Sequence, residues 1–481
     1  MSKFYVATAI PYVNDVPHLG HALEAIQADV MARYHRQQGD QTFFSYGTDE
    51  HGGKIADKAA SLNVTPEVYV NQICQSFVEL TKILDISYDR FVRTTEPQHV
   101  KGAAYIWKQL AKYIYKGSYK GLYDQKEEEF LTLEDGEEIK RSDPARFERL
   151  KPIEEENYFF KLSAFGPKIK ELIDTNELII TPVTRRNEIL SLLDSGLDDI
   201  SISRPKDKLN WAIPVPDDPA QVMYVWVEAL MNYITTLGYP DGDNFKAFWP
   251  CDVHVIGKDI LRFHAAIWPG MLMALGLPLP KVIFVHGFVN VGGRKMSKSE
   301  GTGIPPMDII STYGSEAMRY FFLRHIPSTE DGDFTWEKFE RAYNGELGNE
   351  LGNLVQRVAS MINTYQQGVI GTMPEPEHDT GAYHEAMANL QLDRALDSIF
   401  GLIRGLNQYI EESKPWVLAK EQDQEHLREV LAYTASSLLQ FADLLAPFLP
   451  KTGAKIKEVF GSGVVKNYEG AFFPRINKYT V

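Results

Sequence analysis

The sequence predicts an α/β fold: a Rossmann-like doubly wound parallel sheet, split by an insertion domain and followed by an α-helical bundle. The first observation is a strand–helix–strand order at the N-terminus, where apolar runs at 4–10 and 42–46 flank a helical pattern. The second is the return of this order at 253–256 and 282–285. The third is a series of long amphipathic segments beyond about residue 335, which is typical of a helical bundle.

The N-terminal half supplies the first strand of the predicted sheet. A continuous apolar run of strand length, such as 4–10, is typical of a strand buried on both faces. Apolar residues then recur at helical spacing, at Leu19, Leu23, Ile26 and Val30. Strand 42–46 ends in the polar loop 47–52, and ligand-binding loops are expected at such strand ends.

The second half of the predicted sheet repeats the pattern. Strand 253–256 leads through 257–259 into a helix that ends near Leu275, and strand 282–285 is extended by 288–291. The stretch 263–280 carries no Asp, Glu, Lys or Arg, but prolines and glycines interrupt it. We therefore predict a buried core helix with bent ends rather than a membrane span.

Four parts follow from this organisation. They are the first half of the nucleotide-binding fold, an insertion, the second half of the fold and a helical domain, at residues 1–115, 116–215, 216–334 and 335–481. In the last part, amphipathic helices are predicted over about 336–366, 382–412 and 424–445.

Composition limits the class of protein. The chain has 481 residues, a formal net charge of −15 and two cysteines, Cys74 and Cys251. The acidic excess argues against a general nucleic-acid or membrane-surface binder, although it is compatible with a local basic face. Two cysteines exclude a disulfide framework and a four-cysteine zinc site, and they fit a reducing cytoplasm.

Two short motifs point to phosphate chemistry. The first, His18-Leu19-Gly20-His21, lies where a loop enters a helix; helix N-termini receive phosphate, glycine permits close approach, and imidazoles donate hydrogen bonds. The second, Lys-Met-Ser-Lys-Ser at 295–299, follows two glycines, and its lysines are suited to close over a polyphosphate. Alone, the first is more typical of a capped helix and the second of a basic surface loop. No Walker P-loop is present.

Together with other motifs, these two resemble a known family. Segments 9–14, 47–52, 224–230 and 257–260 accompany them in order and spacing. On these motifs the chain resembles the class I aminoacyl-tRNA synthetases, specifically the methionyl-tRNA synthetase family, over nearly its whole length. The resemblance implies ATP-dependent activation of L-methionine to methionyl-adenylate. It also implies transfer to the 3′-terminal adenosine of tRNA(Met), elongator and initiator, with 335–481 as the anticodon-binding domain.

The resemblance also implies the site residues. The catalytic residues are His18, His21, Lys295 and Lys298. The ATP-binding residues are Gly20, Glu24, Asp259, Lys295, Ser297 and Lys298. The methionine-binding residues are Ile10, Tyr12, Asp49, Trp226, Ala229, Leu230, Tyr233, Ile260 and His264. The anticodon-binding residues are Asn353, Arg357 and Trp416.

The residue types suit these implied roles. Aromatic and aliphatic side chains favour a polarizable thioether, and Asp49 suits an α-ammonium group. Asn353 and Arg357 lie one helical turn apart, and Trp416 offers a stacking platform for an unstacked base. Without the resemblance, the pocket aromatics indicate core packing. The anticodon positions then fit a solvated helix face or, for Trp416, a plug of the bundle.

The resemblance leads to further expectations about cofactors and assembly. ATP and Mg²⁺ are implied, and no structural zinc is expected because 119–151 lacks cysteine, as in the zinc-free branch. That stretch is expected to hold its shape by ordinary packing. Glu228 stands where Asp is more usual in the family, and it is assigned no role. The chain stops soon after the helical part, so we expect a monomer. The low cysteine content fits a cytoplasmic location, and no membrane partner is expected.

Three alternatives are open at this level: a class I synthetase for another amino acid, an HxGH-type nucleotidyltransferase, and a catalytically silent RNA-binding paralogue. The insertion of roughly 100 residues is small for the hydrolytic domain of isoleucine, leucine or valine enzymes. A nucleotidyltransferase leaves the helical third unexplained. A silent paralogue is expected to have lost a motif histidine or lysine, and none is lost here.

Overall fold

The computed structural model of the chain describes residues 2–125, 129–295, 303–466 and 470–479. The strands are β1 (Lys3–Thr8), β2 (Gln41–Thr48), β3 (Arg90–Arg93), β4 (Ile114–Asp124), β5 (Glu129–Leu131), β6 (Lys151–Phe160), β7 (Ile179–Thr181), β8 (Ile200–Ser201), β9 (Ser203–Pro205), β10 (Pro214–Val215), β11 (Asp218–Met223), β12 (Val253–Gly257), β13 (Val282–His286), β14 (Val289–Val291), β15 (Arg294–Lys295) and β16 (Gly332–Phe334).

The helices are α1 (Leu19–Gln37), α2 (Gly53–Ser61), α3 (Pro66–Ile83), α4 (Pro97–Gln109), α5 (Leu133–Ser142), α6 (Pro144–Glu148), α7 (Gly166–Asp174), α8 (Val183–Asp194), α9 (Val225–Leu230), α10 (Asn232–Thr235), α11 (Asp243–Phe248), α12 (Trp268–Leu275), α13 (Pro306–Tyr313), α14 (Ser315–Arg324), α15 (Trp336–Ala342), α16 (Asn353–Gln366), α17 (Gly381–Ala388), α18 (Leu392–Ser413), α19 (Pro415–Glu421), α20 (Gln424–Leu445) and α21 (Pro450–Phe460). Short 3₁₀ turns lie at Ala111–Tyr113, Leu162–Ala164 and Lys258–Ile260, and π-helical segments at Phe263–Ile267 and Tyr343–Gly352.

The main sheet is parallel, with the strand order β3-β2-β1-β12-β13-β7. From β1 the order runs outward through β2 and β3 on one side, and through β12 and β13 on the other. The strand order therefore reverses between β1 and β12. In open α/β sheets, ligands bind beyond the C-terminal ends of the strands at such a switch point. The predicted fold class, a doubly wound parallel sheet followed by a helical region, is confirmed.

The segment 116–215 contributes to more than one sheet. It contributes most strands of two small antiparallel sheets, with orders β5-β4-β6-β8 and β10-β11-β9, although β11 lies just beyond residue 215. Its strand β7, however, pairs in parallel with β13 at the edge of the main sheet. A short apolar strand carries no local signal for its distant partner, so the position of β7 could not be predicted from the sequence. The four-part division of the chain stays a prediction.

The chain divides into two compact units. One contains Met1–Pro17, Gly39–Lys82 and Ser87–His286, and the other contains His18–Gln38, Ile83–Ile86 and Gly287–Val481. Helix α1, which the sequence groups with the first half of the fold, belongs to the second unit. A buried ion pair at 2.7 Å joins Asp29 of α1 to Arg319 of α14. Arg319 also donates to the carbonyls of Leu84, Pro447 and Phe448.

The predicted helical region is confirmed, with one correction in the preceding part. Segment 336–366 comprises α15, a π-helical segment and α16, while 382–412 comprises most of α17 and α18. The run 288–291 does not extend β13, because β14 forms a separate sheet of order β15-β14-β16. At Gly287 the chain passes close to the backbone of Glu330, where an added Cβ would lie 2.1 Å from the carbonyl carbon.

The apolar stretch 263–280 is a π-helical turn followed by α12. Pro269 lies in the first turn of α12, a position at which proline is common. Gly276 ends the helix with a φ of 70°, a left-handed conformation that favours glycine. Among the described residues, no helix combines the length and apolar character that crossing a bilayer requires.

Candidate active site

The segments that follow β1 and β2 are joined at the switch-point end of the sheet. The Asp49 amide donates to the Pro11 carbonyl at 2.8 Å, and the Val13 amide donates to the Asp49 carbonyl at 3.0 Å. Tyr12 and Asp49 thus form a parallel bridge. Asp49 is buried, and a buried carboxylate at the end of a central strand is well placed to pair with an ammonium group.

Tyr233 and His264 form a buried hydrogen-bonded pair. His264 Nδ1 lies 3.0 Å from the Ile260 carbonyl, which only accepts, so Nδ1 carries the proton. Nε2 of the neutral ring is then an acceptor, and the Tyr233 hydroxyl donates to it at 2.7 Å. Burial lowers the pKa of His264 to about 4, so the ring is neutral at pH 7.

An aromatic stack adjoins these residues in the sequence. The rings of Trp226 and Phe263 lie 4.4 Å apart with an interplanar angle of 18°. Trp226 is half-buried, as are Ile10, Tyr12 and Ile260. Sequence reasoning missed Phe263, although its position three residues after Ile260 places it on the same turn. A flat aromatic surface of this kind gives favourable contacts to sulfur.

The remaining predicted pocket residues lie on two short helices. Ala229 and Leu230 are buried on α9, and Tyr233 is buried on α10. His254 on β12 packs against Tyr233, with ring centroids 4.0 Å apart and the rings tilted by 39°. Its Nε2 accepts a hydrogen bond from the Trp268 indole at 3.3 Å, and burial holds the His254 pKa well below its usual value. The pocket aromatics are therefore core residues as well as candidate ligand contacts.

In the second unit, the His-Leu-Gly-His motif caps α1. His18 is the N-cap residue; its Nδ1 accepts from the Gly20 amide at 3.1 Å, while His21 Nδ1 accepts from the His18 amide at 3.3 Å. The two rings are stacked, 3.7 Å apart. Because both Nδ1 atoms accept, the proton of each neutral ring lies on Nε2, which makes Nε2 the donor atom. The sequence suggested two separate interpretations, a capped helix or a pair of imidazole donors. In the structure the same two histidines cap the helix and keep an Nε2 donor each.

Gly20 lies close to the capping side chain. A Cβ added at Gly20 would lie 3.0 Å from the His18 ring, a tight contact that the ring would have to relieve by a small shift. Glu24 is buried on α1, one turn after Gly20. Asp259, in the first unit, is exposed in the turn that follows β12.

The predicted lysine loop begins at the end of a β-hairpin. Strand β14 pairs with β15, which ends at Lys295, and the intervening Gly292 and Gly293 have φ values of 60° and 75°. A two-residue turn with both φ angles positive is the hairpin turn that favours glycine. Ser297 and Lys298 lie outside the described residues.

The three predicted anticodon residues lie in the helical region of the second unit. Trp416, near the start of α19, is 39% exposed, so it does not plug the bundle. Asn353 is exposed at the start of α16. Arg357 forms an ion pair with Glu411 and donates to Asn407 Oδ1 at 2.9 Å, contacts that orient its guanidinium group.

Sequence reasoning also missed a buried polar cluster in the first unit. Glu228, to which it assigned no role, is fully buried and contacts both His51 and His99. The available signal was the presence of His51 and Glu228 inside two of the family motifs. A second correction concerns 119–151, which is held by ion pairs as well as packing: buried Asp124 accepts from Arg146 and Arg149.

Comparisons with known proteins agree with this description. A family model described as tRNA synthetases class I (M) matches residues 4–145 and 138–359. The methionine–tRNA ligase of Brucella melitensis is 40% identical over 481 residues, covering 96% of this chain and 92% of that protein. The one from Thermotoga maritima is 39% identical over 475 residues, covering 94% of this chain and 74% of the relative.

A solved structure gives the same result. The Mycobacterium tuberculosis methionyl-tRNA synthetase in complex with methionyl-adenylate superposes with a TM-score of 0.89 at 36% sequence identity. The superposition covers 95% of this chain and 94% of that chain. The family model, the relatives and the solved structure agree over most of the sequence. The chain belongs to the methionyl-tRNA synthetase family of class I aminoacyl-tRNA synthetases.

Proposed function

We propose that this protein is a methionine–tRNA ligase that activates L-methionine with ATP and transfers the methionyl group to the 3′-terminal adenosine of tRNA(Met). The observation that carries the proposal is the Tyr233–His264 pair. The Tyr233 hydroxyl donates to His264 Nε2, and His264 Nδ1 donates to the Ile260 carbonyl, so these polar groups are hydrogen-bonded to one another. A polar amino-acid side chain would find these groups already engaged, whereas a thioether needs only weak polar contacts and a flat aromatic neighbour such as Trp226.

The remaining pocket residues would orient the substrate. Asp49 would pair with the α-ammonium group of methionine, which leaves the α-carboxylate to react. The carboxylate is already a nucleophile, so its attack on the α-phosphorus of ATP needs no general base. One oxygen–phosphorus bond forms while the bond to the leaving pyrophosphate breaks. The protein then contributes positioning and stabilisation of phosphate charge.

The phosphate contacts would come from the two short motifs. The Nε2 donors of His18 and His21 would bind near the α-phosphate, with Gly20 keeping the helix terminus accessible. Lys295 and Lys298 would hold the β- and γ-phosphates, and Ser297 would assist them. Glu24 and Asp259 are proposed near the ribose. His21 and Lys295 would therefore act on one triphosphate.

Magnesium is proposed as part of the ATP substrate. Within residues 2–125, 129–295, 303–466 and 470–479, no group of three or more His, Cys, Asp or Glu side chains is placed to hold a metal ion. The described residues thus do not form a protein cage, and Mg²⁺ would arrive bound to the ATP phosphates. We further propose that the protein acts as a cytoplasmic monomer.

The decisive experiment is ATP–pyrophosphate exchange with each of the twenty amino acids. Exchange that depends on methionine alone supports the proposal. Exchange with a different amino acid assigns the chain to another specificity, and exchange with none in folded protein indicates a silent RNA-binding paralogue. Within this assay, Asp49→Asn should raise the methionine KM by about 10- to 150-fold, the effect of one charge-assisted hydrogen bond. The ATP KM, measured alongside, serves as the internal control.

The second substrate is proposed to be tRNA, recognised through the helical region. Exposed Trp416 would stack an anticodon base, while Asn353 and Arg357 would contact base edges or phosphate. Loss of one base–aromatic stack is worth about 1–3 kcal/mol, so Trp416→Ala should raise the tRNA KM by roughly 5- to 150-fold. Trp416→Phe keeps an aromatic face and should retain most of the affinity. Equal loss of methionine-dependent exchange in Trp416→Ala would contradict the anticodon role.

A further inference from the structure

We infer that Glu228 is a positioning residue: its hydrogen bond with His51 sets the distance between Asp49 and helix α9, while its hydrogen bond with His99 anchors α9 to helix α4. Asp49 is proposed to contact the ammonium group of methionine, and residues of α9 are proposed to contact its side chain. The inference rests on the proposed function. Glu228, His51 and His99 together form the Glu228 clasp.

The Glu228 clasp uses both oxygens of one carboxylate. Oε1 lies 2.8 Å from His51 Nδ1, and Oε2 lies 2.8 Å from His99 Nε2. Glu228 and His99 are fully buried, and His51 is 6% exposed. A carboxylate removed from water in this way is stable only when both oxygens are hydrogen-bonded or paired with positive charge. The two imidazoles fill that requirement from two different segments of the chain.

The charge state of Glu228 follows from these contacts. Burial alone would raise the pKa of Glu228, but the contacts with His51 and then His99 hold the pKa below its usual value. The group is therefore ionised at neutral pH, and each imidazole donates to it. Charge-assisted hydrogen bonds of this kind fix geometry more firmly than neutral ones.

The His51 arm joins the two parts of the proposed methionine pocket. His51 lies two residues after Asp49, and Glu228 lies on α9 between Trp226 and Ala229. The residue between Asp49 and His51 points elsewhere, because Glu50 is held by Arg93 at 2.6 and 2.9 Å. The segment after β2 is thus tied to β3 by one side chain and to α9 by the next.

The His99 arm joins α9 to the scaffold. His99 Nδ1 lies 2.8 Å from the Thr235 hydroxyl, so this ring bridges α4 to both α9 and α10. Helices α4 and α10 lie close together here, and only glycine fits without a shift: a Cβ added at Gly102 would lie 2.5 Å from the Thr235 methyl group. No residue of the proposed pocket lies on α4. Both arms are thus histidine–carboxylate hydrogen bonds to Glu228, but the His51 arm reaches the segment that carries Asp49, whereas the His99 arm reaches α4.

This difference allows a direct test in the pyrophosphate-exchange assay. His51→Leu and His51→Asn are nearly isosteric, but only Asn keeps a donor close to the position of Nδ1. We expect His51→Leu to raise the methionine KM about tenfold or more, equivalent to about 1.4 kcal/mol, with the ATP KM unchanged. His51→Asn should restore the methionine KM to within about threefold of the wild type.

His99→Leu is the matched control, because it removes one hydrogen bond from the same carboxylate. It should lower the melting temperature while leaving the methionine KM within about threefold of the wild type. Equal methionine KM values for His51→Leu and His51→Asn would overturn the inference, as would an equal rise in His99→Leu. If His51→Leu does not fold, His51→Phe replaces it, since it keeps a ring and lacks the donor. A wild-type protein without methionine-dependent exchange would instead refute the proposed function.

Discussion

His264 should make the folded chain sensitive to mild acid. Its pKa is about 4 in the folded protein, against 6.5 for an unperturbed imidazole, and the cause is burial. The unfolded chain therefore binds a proton as the pH falls through 6.5, while the folded protein resists protonation until the pH approaches 4. A depressed folded-state pKa of this kind contributes stability that is complete above pH 6.5 and is lost as the pH falls.

The magnitude follows from the size of the shift. One pKa unit corresponds to about 1.4 kcal/mol, so this group alone should remove about 3 kcal/mol of unfolding free energy by pH 4. Between pH 7.5 and pH 5 the expected loss is about 2 kcal/mol. Burial is the larger cause of the lowered pKa, and the Ile260 carbonyl, which accepts from Nδ1, partly opposes it. The Tyr233 hydroxyl donates to Nε2 and therefore favours the neutral ring.

The measurement is urea unfolding of the wild type and His264→Gln at pH 7.5 and pH 5. A carboxamide offers one donor and one acceptor but does not titrate, so the drop in unfolding free energy should be smaller by about 2 kcal/mol in the variant. Tryptophan fluorescence is a suitable signal, because most of the seven tryptophans lie in the unit that contains His264. His426→Gln, at an exposed position on α20, is the matched control and should behave as the wild type. An identical drop in His264→Gln and the wild type would refute the reasoning.

Three further predictions concern stability and metal content. Arg319→Met removes one of the two guanidinium partners of buried Asp29, leaving Arg33, and also removes the Arg319 hydrogen bonds to three carbonyl groups, so the unfolding free energy should fall by about 3–5 kcal/mol. Lys457→Met breaks an exposed pair and should cost about 1 kcal/mol or less. Asp124→Asn keeps the side-chain shape but removes a buried charge facing two guanidinium groups, and should lower the melting temperature of purified protein; an unchanged value would contradict the ion-pair account. Elemental analysis should find no stoichiometric zinc, and one zinc per chain would refute the structural interpretation of residues 119–151.

Local patterns in the sequence were sufficient for the central strands of the main sheet and for the long helices of the C-terminal region. The apolar run 4–10 became β1 because a strand buried on both faces needs apolar residues in succession, and the observed strand is buried over nearly its whole length. The helical segments beyond residue 335 kept their predicted positions, because amphipathic periodicity depends on neighbours three and four residues away. Candidate site residues were located through ordered motifs, and their roles stay predictions.

The sequence by itself thus determined the central strands of the main sheet, the long C-terminal helices and, through its ordered motifs, the family and the loops that carry the candidate site. Only the tertiary structure decided which buried charges meet. Arg319 finds Asp29 across 290 positions, and Glu228 finds His51 across 177. A side chain that is polar in the sequence gives no indication of its burial, since its partner lies on a distant segment that the fold alone brings near. The physical reason is that a charged or polar group buried at low dielectric constant must be hydrogen-bonded or paired. The partners are far apart in the sequence, so no periodic pattern of residues reveals them.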